Sequence, residues 1–202
     1  MTPFFCRRPV RSGFTLVEVL VVMAIAAILL AVAMPNFQNI IANTRTSEAA
    51  NALIGTFDLA RTEAVRRGLN VTVCRSTNAE VALPTCAGVG DWADGWFVFV
   101  DNSGVQGVRD AGDNEILYRQ QGWSAADARS HINASVNAPV AFVGAIAYQA
   151  NGLRLPLAGD SAPPFRFEIG YRRGAEAAPG LSPRCLQVTF VGQSIINRAQ
   201  CP

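Results

Sequence analysis

Phe14 to Met34 is a run of 21 residues in which only Thr15 and Glu18 are polar. No other stretch restricts the fold of this chain as much. As a helix it rises about 30 Å, the thickness of a bilayer's hydrocarbon core. Arg7, Arg8 and Arg11 precede it, and basic residues on that flank predict that this end stays in the cytoplasm. Glu18 is the anomaly. A carboxylate in lipid costs roughly 2–4 kcal/mol, so its presence asks for a partner. An ordinary secretory signal cut after Ala31-Val32-Ala33 would have a shorter apolar region without Glu18. A plain transmembrane anchor leaves Glu18 unexplained.

A chain of 202 residues, half of them hydrophobic, allows one domain of ordinary core size beside such an anchor. All 17 basic residues are Arg, and three of them lie before residue 14. Residues 42–202 carry 14 Arg and 14 acids, so net charge gives this part no general attraction for nucleic acid. Of the five cysteines, Cys6 falls in the basic N-terminal segment. The other four, Cys74, Cys86, Cys185 and Cys201, form an even set in the part expected outside the cytoplasm, and four cysteines allow three connectivities. The local pairing Cys74–Cys86 and Cys185–Cys201 is expected, because short loops close easily. Neither a CxxC pair nor a second histidine beside His131 supports a metal site.

Beyond the apolar run the helical pattern continues. Leu53, Phe57, Ala60 and Ala64 recur at spacings of four, three and four, which makes an apolar stripe for docking on a sheet. Pro35 is expected to kink this long helix, and Gly68, after Arg66 and Arg67, to stop it. After Gly68 the period moves toward two. Strands are expected at Leu69–Arg75, Gly95–Asp101, Glu115–Gln121, His131–Val136, Val140–Tyr148, Phe165–Tyr171 and Cys185–Val191. One long helix followed by strands predicts an α+β chain with an antiparallel sheet packed on the helix.

Gly13-Phe14-Thr15-Leu16-Val17-Glu18 resembles the class III prepilin signal. The resemblance implies cleavage after Gly13 by a prepilin peptidase and N-methylation of the new terminal residue, Phe14. It also implies a salt bridge in assembly between Glu18 and the N-terminal ammonium of a neighbouring subunit. Two charges that are each costly in lipid would then neutralise one another. The implied division is a leader at 1–13, a membrane and filament-core helix at 14–41, and a periplasmic head at 42–202. Ala60–Gly68, Val71–Cys74 and Trp92–Asp101 further resemble the GspH/FimT family of type II secretion pseudopilins and T- and U-type minor pilins. That family implies a single-pass inner-membrane protein that later joins a surface filament. Its expected partners are the peptidase, other major and minor pilins, and the inner membrane. Its members need no cofactor and are not enzymes. A minor pilin that primes assembly is the expected role, with a secretion pseudopilin and a DNA-uptake pilin as alternatives.

For DNA, the family resemblance points to a Gly-Arg-x-Arg element near the C-terminus. The comparable place here reads Gly192-Gln193-Ser194-Ile195, without either arginine. Arg172, Arg173, Arg184 and Arg198 are the remaining candidate cations, because phosphate binding needs clustered positive charge. Trp92 and Trp96 are candidate stacking platforms, though core packing is the simpler reading, with one ring of the Trp96–Phe97 pair expected inside. Asp101–Gly104 and Asp110–Glu115 gather oxygen ligands but lack the spacing of an EF-hand loop, so they read as an acidic hairpin loop. His131 has no nucleophile elbow or other catalytic motif around it. Asn70-Val71-Thr72 and Asn133-Ala134-Ser135 match glycosylation sequons, a triplet that is common by chance.

Overall fold

A single helix, α1 (Leu16–Arg67), opens the fold and ends where the sequence expects it. Gly68 sits at φ +68° and its N–H donates to the Ala64 carbonyl at 2.9 Å, the left-handed stop that a side chain would strain. Glu63 accepts from Arg66 Nη2 and from Arg67 Nε, both at 2.6 Å, and Arg67 Nη1 reaches Glu115 Oε1 at 2.5 Å. Hydrogen bonds from Arg66 and then Arg67 hold the Glu63 carboxyl down at about 2. This computed structural model describes residues 13–88, 90–102, 104–110, 112, 115–122, 130–136, 144–157, 164–173, 176–177, 183–199 and 201. The side chains at 32–36, 38, 121, 130–131, 133–136, 172–173 and 176–177 lie outside that description. The helix runs on through position 35, so Pro35 does not end it.

The chain divides into two compact units, Met1–Ile40 and Ile41–Pro202. Among the described residues the second holds ten strands: β1 (Val71–Arg75), β2 (Gly95–Val100), β3 (Ile116–Gln121), β4 (Ser130–Val136), β5 (Ala145–Tyr148), β6 (Arg154–Leu155), β7 (Phe165–Arg173), β8 (Glu176–Ala177), β9 (Arg184–Val188) and β10 (Ser194–Asn197). They form two antiparallel sheets where the sequence leads one to expect a single one. The first has the order β3-β2-β1-β5-β6 and the second β10-β9-β7-β4, with β8 pairing on β7. Two strand expectations change. Of Val140–Tyr148, only β5 is strand among the described residues, and 140–143 lie outside them. Cys185–Val191 is not one strand but a hairpin arm. The chain turns at Thr189–Gly192, where the Gly192 N–H donates to the Thr189 carbonyl at 3.0 Å, and returns as β10. Gly192 sits at φ +75°, so a residue with a side chain there would oppose the turn.

Both sheets share one core with α1. Leu53, Phe57, Ala60 and Ala64 are fully buried, as their spacing predicts. They meet Val71, Val73, Trp96 and Tyr148 of the first sheet and Phe165, Phe167, Leu186 and Val188 of the second. Phe57 lies at the centre, 5.2 Å from Phe167 and 6.2 Å from Trp92 between ring centroids. Thr56 couples helix to sheet: its hydroxyl donates to the Ala52 carbonyl and accepts from Trp96 Nε1 at 3.0 Å. The far face of the first sheet is covered too, by a smaller cluster of Cys74, Phe97 and Phe99 with Cys86, Ile116 and Ala145. With both faces covered, β1 and β2 are buried along their whole length and show no polar alternation. Trp96 and Phe97 are therefore both inside, on opposite faces, where one exposed ring was expected.

Candidate assembly site

The start of α1 is built by a threonine. The Glu18 N–H donates to Thr15 Oγ1 at 3.3 Å, which makes Thr15 the cap and Glu18 the third helical residue. Thr15-Leu16-Val17-Glu18 thus carries the capping-box pattern, and the Glu18 charge also lies in the first turn, where the helix dipole favours an anion. Sequence reasoning assigned Glu18 a role and passed over Thr15, although the T-x-x-E spacing was readable. Around this start the surface is apolar: Phe14 is 82% exposed, Leu16 77%, and Val17, Leu20, Met23, Ile28 and Leu30 all lie open within their unit. A helix apolar on all sides wants an apolar medium or neighbouring helices. Among the described residues, no helix is long and apolar enough to cross a membrane. The span expected at 14–41 includes positions 32–36 and 38, whose side chains are outside the description.

In the second unit the candidate arginines gather at one end of the second sheet. Arg184 opens β9 opposite Ile169 of β7, and Asn197 of β10 pairs with Cys185, so Arg198 follows at the level of Arg184. Arg172 and Arg173 close β7 a few residues beyond Ile169, with Arg173 opposite Glu176. Arg184 Nη2 donates to Ser47 Oγ of α1 at 2.7 Å, and Arg198 is exposed.

The other candidates become structural. Trp92 and Trp96 are fully buried and present no stacking face. Asp101 is buried, and its Oδ2 accepts from Thr72 Oγ1 at 2.6 Å and from the Gly107 N–H at 2.7 Å. Among the described residues, no three metal-ligating side chains converge. The side chains of His131 and Asn133 lie outside the description. In the other sequon, Thr72 is buried and the Asn70 amide donates to Gln106 Oε1. The four cysteines pair as Cys74–Cys86 and Cys185–Cys201, the local connectivity.

Two residues that no motif marked hold the head together. Arg75, buried in β1, forms an ion pair with Asp94 at 2.7 Å and donates to the Ala87 carbonyl, which fastens the disulfide loop. Asp91 Oδ1 accepts from the Ala93 N–H at 2.8 Å and from the Ile132 N–H at 2.6 Å. It thereby ties edge strand β4 of the second sheet to the turn that leads into the first. Both contacts span distances in sequence that no local pattern records.

A capped apolar helix that begins Gly-Phe-Thr-Leu-Val-Glu, and whose later turns pack on antiparallel sheets, defines a type IV pilin-like subunit. The chain belongs to the family described as Type II transport protein GspH, which matches residues 49–192. The prokaryotic N-terminal methylation motif matches residues 8–34. Fimbrial protein EcpC of Eikenella corrodens is 46% identical over 44 residues, 22% of this chain and 29% of that protein. The match thus spans less than a third of that relative. Two crystal structures of the type IV minor pilin FimU of Pseudomonas aeruginosa have similar folds. One, at 19% identity and a TM-score of 0.52, covers 76% of this chain and 89% of FimU. The other, at 18% identity and a TM-score of 0.49, covers 75% and 91%. These family relations are to filament subunits and not to enzymes.

Proposed function

We propose that this chain is a minor pilin, a low-copy subunit that helps to start a type IV pilus. The observation that carries the reading is the junction of two features on one helix: the Gly13–Glu18 signal at its start and a GspH-family head on its later turns. On this reading a prepilin peptidase removes residues 1–13, and Phe14 becomes the N-methylated terminus. Residues 14–41 wait in the inner membrane and later line the filament core, while 42–202 form the periplasmic head. Glu18 is drawn to the Phe14 ammonium of a neighbouring subunit, because in lipid each charge alone is costly and the pair is not. The fimbrial relative favours a pilus over a secretion filament. For DNA uptake the supporting observation is the four arginines at one end of the second sheet. The missing arginines at Gly192-Gln193-Ser194-Ile195 speak against it.

The test is maturation in a host that carries the peptidase. Mass spectrometry should find the wild type beginning at a methylated Phe14 and Gly13→Val retaining its leader. Glu18→Ala should be cut normally and yet lower the number of filaments per cell. Normal processing of the Gly13→Val chain would sink the assignment.

A further inference from the structure

We infer that the open edge of β10 is a docking site for an extended, uncharged strand of a partner protein, a contact that lies within the head and goes beyond the minor-pilin reading.

A bare strand edge invites pairing by any extended chain. Folded proteins guard against this with charge, a bulge, a very short strand or a cover. Among the described residues the two main sheets end in β3, β6, β4 and β10, and the first three are guarded. β3 carries Arg119, which donates to the Ala79, Val81 and Ala82 carbonyls, and its register against β2 shifts at Val98/Phe99. β6 has only two residues. β4 is covered where Asp91 Oδ1 takes the Ile132 N–H at 2.6 Å. β10 has no such guard. No charged residue lies between Arg184 and Arg198, and among the described residues β10 pairs with β9 alone.

The hairpin geometry says which backbone groups are open. The Thr189 N–H donates to the Gln193 carbonyl at 3.0 Å, so these two form a hydrogen-bonded pair. The register then continues without a shift through Ser194–Val188, Ile195–Gln187, Ile196–Leu186 and Asn197–Cys185. Bonded and unbonded pairs alternate along antiparallel strands. Ile195 and Asn197 therefore turn their N–H and C=O groups to β9, and Ser194 and Ile196 turn theirs outward. Among the described residues no group pairs with that outer side.

These features define the occupant. Outward N–H and C=O groups two residues apart are matched by another extended backbone. Phe190, Val191 and Ile195 are exposed along the same hairpin and offer contacts to apolar side chains of an incoming strand. The charge-free hairpin gives a charged strand no counter-ion once water is displaced, so an uncharged one is favoured. A second copy fits poorly. β10 against β10 would join four residues from each chain, well short of the ~800 Å² per partner that a stable dimer needs. The Gly192 turn and the Cys185–Cys201 bridge bound the edge, so the strand is one part of a wider contact with its partner.

The experiment uses the isotope-labelled full chain in mild detergent, with hydrogen exchange read amide by amide by NMR. The probe is a capped peptide of alternating threonine and valine, about six residues long. A control peptide of the same sequence has every amide N-methylated. Without peptide, Ser194 and Ile196 should exchange faster than Ile195 and Asn197. Millimolar probe should slow Ser194 and Ile196 about tenfold, and the control peptide should not. Ser194→Pro removes one outward N–H, and Ile195→Lys installs an edge lysine. Each should abolish the protection at Ile196 and leave the near-UV circular dichroism unchanged. Slow exchange at Ser194 and Ile196 in the free chain would show an edge already covered and overturn the inference. So would an unprotected edge at saturating probe, or equal protection by the methylated control. Protection that needs no peptide and grows with protein concentration would make the occupant a second copy, and would overturn it as well. None of these outcomes bears on the maturation test.

Discussion

Phe57 is the residue whose removal should cost this head most. It is fully buried, and its ring lies 5.2 Å from Phe167 of one sheet and 6.2 Å from Trp92, which leads into the other. Truncation to Ala loses the transfer energy of a large ring, about 1.5–3 kcal/mol. It also loses the favourable ring contacts, about 0.5–1.5 kcal/mol a pair, and leaves a cavity that the helix and two sheets cannot all close. Phe57→Ala should therefore cost about 3–5 kcal/mol. For a unit of this size each kcal/mol lowers Tm by about 2–4 °C, so the midpoint should fall by roughly 6–20 °C. The assay is thermal unfolding of the full chain in mild detergent, read by near-UV circular dichroism, which reports on the aromatic cluster. Phe57→Leu, which keeps most of the volume, should cost about 1–1.5 kcal/mol. Val65→Ala, on the same helix but 54% exposed, should stay within about 0.5 kcal/mol. If Phe57→Ala falls no further than Val65→Ala, the helix is not the keystone between the sheets and the packing argument is wrong.

Other substitutions probe separate parts of the molecule. Asp91→Ala removes the acceptor for both the Ala93 and Ile132 N–H groups and should destabilise by about 2–4 kcal/mol, with faster hydrogen exchange confined first to β4. Cys74→Ser with Cys86→Ser should cost about 3 kcal/mol by denaturant titration, since the bridge closes a loop of 12 residues' separation. Glu63 has its pKa lowered from 4.5 to about 2, so the stability it contributes is whole above pH 4.5 and is lost as pH falls toward 2. Glu63→Gln should therefore flatten the decline of Tm within that window and leave its slope above pH 5 unchanged.

What could be read from the sequence was whatever repeats or caps locally. The apolar run from Phe14 announces its own environment, because no water-facing helix tolerates it. The stripe Leu53-Phe57-Ala60-Ala64 and the stop at Gly68 depend only on residues within a few turns of each other. The class of fold follows from that periodicity, and the four cysteines close loops short enough to pair by proximity. Thr15 belongs with these signals, since its capping role lies three residues from Glu18.

Tertiary structure decided what depends on pairing across long loops. Local alternation cannot say that β1 pairs with β5 while β7 joins β9, and so it cannot say that there are two sheets. It misread Trp96 beside Phe97, because β2 is covered on both faces and burial erases the contrast on which alternation rests. The tie from Asp91 to Ile132 left no mark in the sequence, since the two lie 41 residues apart. The four arginines are the same case. They are scattered from 172 to 198 in sequence, and only the register of β7, β9 and β10 brings them to one end of a sheet beside Ser47. Side-chain chemistry and short-range periodicity are properties of the chain, but the address of each side chain is set by which distant strands find one another.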